Sequence, residues 1–173
     1  MEAELGKLVG MDSVKLNMRK LCKQLSLDIK RRQEGHNTLD SIRHMMFTGN
    51  PGVGKTTGAR LIHRFLYAWG LIRKDIFSER NALELKGQYV GQTTPRVKDA
   101  VADAMGGVLF LDEAYALAQS HGGSRGPDSF AGEAGRTLLT EGENNRTNLC
   151  VILAGYAGPM KDLMRMDPGL PRR

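Results

Sequence analysis

The segment Gly49-Asn50-Pro51-Gly52-Val53-Gly54-Lys55-Thr56 constrains this 173-residue chain more than any other. It satisfies G-x-x-x-x-G-K-[ST], a pattern that belongs between a strand and a helix. The flanks agree: the apolar run Ile42 to Phe47 precedes it, and residues 56–68 follow with Ala59, Leu61, Ile62, Phe65 and Leu66 at helical spacing. Glycines let the backbone wrap closely, so that successive N–H groups converge on one point. A helix starting near Lys55 adds its positive amino end. Phosphate oxygens suit such a cradle, with Lys55 bridging the outer phosphates and the Thr56 hydroxyl on Mg2+. Nucleoside triphosphate binding is therefore expected, lined by Asn50, Pro51, Gly52, Val53, Gly54, Lys55, Thr56 and Thr57.

A strand buried beside such a loop should end in an acid. Val108-Leu109-Phe110-Leu111 is short and wholly apolar, as a buried parallel strand reads. It runs into Asp112-Glu113, where Asp112 would hold a magnesium-bound water and Glu113 would polarise the water that attacks the γ-phosphate. The plain alternative is a polar strand end that caps the next helix.

Elsewhere, residues 12–34 show helical spacing, with Val14, Leu16, Met18, Leu21, Leu25 and Ile29 near one stripe, Asp12 or Ser13 as cap and Gly35-His36-Asn37 as terminator. A second strand is expected at Ala82–Leu85 and a helix from Thr93-Thr94-Pro95, with Val97, Ala100, Val101 and Ala104 as its apolar face. A weaker helix is expected over residues 128–141 and a buried strand from Leu149 to Ala154, with Cys150 in the core. Strands alternating with helices make an α/β domain with a largely parallel sheet. A helical segment, residues 1–40, precedes that core, residues 41–173.

Composition narrows the function classes. No apolar run approaches the roughly 18–20 residues needed to cross a bilayer, so no membrane partner is expected. The acidic start, Met1-Glu2-Ala3-Glu4-Leu5, lacks a secretory pattern and points to an intracellular chain. Cys22 and Cys150 have no metal-ligand spacing around them and read as reduced thiols. The net charge of +6 is spread along the chain among acids, its densest group being Lys30-Arg31-Arg32. Such spacing reads more as a solvated helix face than as a nucleic-acid footprint.

Taken with the phosphate loop, Tyr89-Val90-Gly91-Gln92-Thr93, Gly107–Tyr115, Asp128-Ser129-Phe130, Asn144-Asn145-Arg146, Val151–Tyr156 and Asp167-Pro168-Gly169-Leu170 resemble an AAA+ ATPase of the CbxX/CfqX type. That type includes the red-type Rubisco activases, the stage V sporulation protein K group and ATPases of type VII secretion. The resemblance runs from about Leu8 to the last residue. It implies a P-loop NTPase core of three αβα layers that hydrolyses ATP with Mg2+ in a ring, usually hexameric, and remodels a protein client at a central pore. A cytoplasmic setting is implied, or a plastid stroma in a photosynthetic eukaryote.

The resemblance also carries roles to individual positions. Val9 and Gly10, in Leu8-Val9-Gly10, resemble the segment against the adenine. Tyr89, with Val90 and Gly91, resembles the aromatic pore loop that grips substrate chain, although an aromatic between glycines equally anchors a loop to its own domain. Arg173 falls on the finger arginine that reaches a neighbour's site, or else ends a basic tail. Tyr156 stands where many AAA+ proteins place a small polar γ-phosphate sensor, and sensing and packing are both open to it. The family's helical lid would come after Arg173, so the chain is read as either a fragment or a degenerate module. Two rival functions follow, a nucleotide-dependent switch or scaffold with little turnover and a DNA-associated AAA+ ATPase.

Overall fold

The computed structural model describes residues 12–35, 44–85, 92–118 and 131–166. The chain divides into two compact units, Met1–Ser41 and Ile42–Arg173. In the first, α1 spans Asp12–Gln33. It closes where Glu34 N donates to Lys30 O at 3.0 Å and Gly35 turns to φ +79°, the left-handed stop that glycine favours. Met18 and Cys22 are buried among its described side chains, whereas Leu16 is 52% exposed. Leu16 therefore lies off the expected stripe, and Cys22, four residues after Met18, lies on it.

The second unit holds β1 (Met45–Thr48), α2 (Lys55–Ala68), β2 (Phe77–Asn81), α3 (Thr93–Asp103), β3 (Val108–Asp112), a 3₁₀ turn (Ala114–Ala118), α4 (Ala131–Asn144), β4 (Cys150–Gly155) and α5 (Ala157–Met166). All three strand pairings are parallel, in the order β1-β4-β3-β2. Leu109, Leu111, Val151 and Leu153 point to one face and pack with residues of α3, α4, α5 and the 3₁₀ turn. On the other face Phe110 stacks on Phe77, with ring centroids 5.7 Å apart, and His63 and Arg60 of α2 cover Phe77. Helices thus lie on both faces of a parallel sheet, as the sequence pattern predicts.

The second strand is displaced from its expected place. Residues 82–85 form a turn, and the strand is Phe77-Ser78-Glu79-Arg80-Asn81. Ala82 and Leu85 are buried, so their apolar signal belongs to a turn anchored in the core. Strand β2 pairs only with β3 among the described strands, and an edge strand keeps polar residues. Its charges are used outward, with Arg60 paired to Glu79 and Arg80 to Asp103.

Helix α5 had no counterpart in the sequence reading. Pro159 stands in its first turn, where a missing N–H costs nothing, and Met160 N makes an early helical bond to Tyr156 O at 3.0 Å. Met160 and Leu163 bury its inner face. Helix α4 begins at residue 131 and runs on to Asn144, past the expected end.

Candidate functional site

The strand ends gather the candidate residues. Register sets Thr48 of β1 beside Gly155 of β4 and Asn81 of β2 beside Asp112 of β3, and β4 lies between β1 and β3. The phosphate loop therefore leaves the same carboxyl edge as Asp112 and Glu113, the edge where open α/β sheets place ligands. Gly49 N continues the ladder by donating to Gly155 O at 3.1 Å.

The loop has the form of an anion cradle. Gly54, at φ +79°, opens α2, and Gly58 N donates to Gly54 O at 2.9 Å. Helix geometry leaves the N–H groups of residues 55–57 without intrahelical acceptors. No side chain caps this end and no acid stands in its first turn, so nothing there competes with an anion. A Cβ on Gly49 would lie 2.9 Å from Val53 Cγ2, too close for any larger residue without displacement. Lys55 folds back over the loop, its Nζ donating to Gly49 O at 3.0 Å and to Asn50 O at 2.9 Å. Asn50, Pro51, Gly52, Val53 and Thr57 are exposed, and Gly54, Lys55 and Thr56 are half-buried.

At the end of β3, Asp112 Oδ1 accepts from Glu113 N at 2.9 Å, which settles the turn. Glu113 has φ 52°, the only left-handed non-glycine among the described residues. Such a backbone is strained for a glutamate and persists where its surroundings demand it. Asn81 Nδ2 donates to Glu113 Oε2 at 3.3 Å, while Asn81 Oδ1 accepts from Leu83 N at 2.9 Å. One side chain therefore holds both the carboxylate and the turn after β2. Asn81 was missed at the level of sequence, because the apolar residues after it drew the strand downstream.

Two tyrosines close the gap between the loop and Glu113. The Lys55 ammonium lies 5.6 Å from the Tyr156 ring centroid, and the Tyr156 and Tyr115 rings are 5.7 Å apart. The Tyr115 hydroxyl bonds to Glu113, and its phenol is pushed above its ordinary pKa, first by burial and then by the Glu113 charge. Tyr156, 37% exposed, thus stands between the Lys55 ammonium and the Tyr115 ring. Cys150 is fully buried, which pushes its thiol up to about 12 and agrees with its reading as a core residue. Val9, Gly10, Tyr89, Val90, Gly91 and Arg173 lie outside the described residues.

The model of the ATPase family associated with various cellular activities (AAA) matches residues 45–168, the stretch that carries this sheet and loop. The chain belongs to the AAA family. Stage V sporulation protein K of Bacillus subtilis is 36% identical over 172 residues, covering 99% of this chain and 52% of that protein. The chloroplastic ribulose bisphosphate carboxylase/oxygenase activase of Cyanidioschyzon merolae is 39% identical over 170 residues, covering 96% and 56%. Protein CbxX of Cupriavidus necator is 38% identical over 167 residues, covering 96% and 51%. This AAA chain spans about half the length of these curated relatives, and its similarity is to AAA+ proteins of the CbxX/CfqX type, as its motifs indicate. ATP binding comes with membership of an ATPase family. No described helix is long and apolar enough to cross a membrane.

Proposed function

We propose that this AAA core hydrolyses ATP to ADP and phosphate with Mg2+, and that the turnover drives remodelling of a protein partner. The reading rests on one observation: Lys55 and Glu113 lie at the same carboxyl edge, joined through Tyr156 and Tyr115. Lys55 must leave two carbonyls to meet the outer phosphates, and these replace its self-made hydrogen bonds with stronger charge-assisted ones. The N–H groups of residues 55–57 bind the inner phosphates, and Glu113 takes a proton from the attacking water. The Thr56 hydroxyl and Asp112, the latter through water, are the oxygen ligands that suit Mg2+. That ion would neutralise charge developing between the β- and γ-phosphates.

The assembly around this core is proposed on the same footing. Subunits form a ring in which Arg173 reaches a neighbour's site, and Tyr89, between Gly87 and Gly91, grips the client in the pore. The setting is the cytoplasm or a plastid stroma. Release of inorganic phosphate from Mg–ATP by the purified chain tests the reading. Turnover that rises with protein concentration is expected, since a finger arginine acts only between subunits and is worth on the order of a thousandfold. Tight ATP binding without phosphate release would leave a nucleotide switch. Replacing Tyr89 with Ala should spare nucleotide binding and weaken client remodelling; lost ATP binding would put Tyr89 in the domain's own packing.

A further inference from the structure

A general base works only when held, and Asn81 does not hold Glu113 alone. At 3.3 Å its contact is long for a hydrogen bond, and the same Asn81 also serves the turn through Oδ1. Glu113 itself projects from a strained backbone at φ 52°. A second donor is present. Tyr115 lies two residues on, at the head of the 3₁₀ turn, its ring packed against the aliphatic cluster of α3, α4 and α5. The ring has little freedom. A Cβ on Gly155 would lie 3.0 Å from Tyr115 Cδ1, so the ring rests on the β4 backbone, and the Tyr156 ring tilts across it at 37°.

We propose that Tyr115 is a positioning residue for Glu113, its hydroxyl donating to the carboxylate from a ring braced between the Gly155 backbone and Tyr156. The inference rests on the reading of Glu113 as the base and adds the device that aims it. The brace has a second end. Tyr156 also faces the Lys55 ammonium at 5.6 Å, so the group that meets the phosphates and the group that meets the water share one aromatic support.

Tyr115→Phe keeps the ring and removes only the hydroxyl. It should lower kcat about tenfold, the usual weight of one hydrogen bond to a charged group. The KM for Mg–ATP, the affinity for a non-hydrolysable ATP analogue and the melting temperature should stay put. In a Glu113→Gln background the same change should do nothing further, because the base it aims is gone. In the nucleotide-free chain the carboxyl carbon-13 resonance of Glu113 should move on Tyr115→Phe. An unmoved resonance, or equal slowing in both backgrounds, would overturn the proposal. Turnover that survives Glu113→Gln would instead overturn the assignment of the base, while the resonance would still decide whether Tyr115 holds that carboxylate.

Discussion

The phosphate loop and the group around Glu113 share one edge of one sheet, yet they are built by opposite means. The loop is eight consecutive residues whose donors are backbone N–H groups, so its geometry is local and follows from where its glycines fall. The Glu113 group draws Asn81 from β2, Asp112 from β3, Tyr115 from the 3₁₀ turn and Tyr156 from the end of β4. It exists only while the strands keep register, above all the pairing of Asn81 with Asp112. A local backbone site can outlast a shift of its neighbours. A site assembled from side chains on separate strands cannot, which makes turnover more fragile than binding.

The strongest way to break the second region while sparing the first is at Gly107. A Cβ there would lie 2.3 Å from the Ile76 carbonyl oxygen, at the point where Val108 N donates to that same oxygen and starts the β2–β3 register. Backbone cannot yield as a side chain can, so Gly107→Ala should cost about 3 kcal/mol of stability. Thermal melting checks this, and an unshifted melting temperature would mean that β2 moves freely. Next in size is Lys55→Ala, aimed at the loop. Its charge-assisted bonds are worth about 1.5–3 kcal/mol each, so ATP affinity should fall roughly a hundredfold by calorimetry. The fold should not change, since the hydrogen bonds of the Lys55 amine described above go only to its own loop and its one other described contact is the face of the half-exposed Tyr156 ring. Smallest is Asn81→Asp. It keeps an acceptor for Leu83 N but replaces the donor facing Glu113 with a like charge. Turnover should fall about tenfold with ATP affinity unchanged; parental turnover would mean that Tyr115 suffices alone.

The same contrast decides what was legible in the sequence. The loop could be read because a glycine pattern dictates its own backbone, and β3 and β4 because strands buried on both faces are plain apolar runs. Asp112 and Glu113 followed from the strand before them. Strand β2 was misplaced because an edge strand carries Ser78, Glu79 and Arg80, while the buried Ala82 and Leu85 mark the turn. Asn81 and Tyr115 acquire their roles from partners distant along the chain or across the sheet. No local pattern encodes Asn81 beside Glu113, 32 residues on. Helix α5 has Gly158 and Pro159 in its first turn, residues that weaken a helical pattern in the sequence but are tolerated at that position.

In the function proposed above, the backbone loop binds ATP and the carboxylate at the end of β3 turns it over. Glu113→Gln measures both together, since the amide keeps the shape and loses the base. Calorimetry should give the parental ATP affinity, and phosphate release should slow by at least about a hundredfold, the usual weight of a positioned general base. Parental turnover in Glu113→Gln would contradict the claim and move the task of orienting water to another residue.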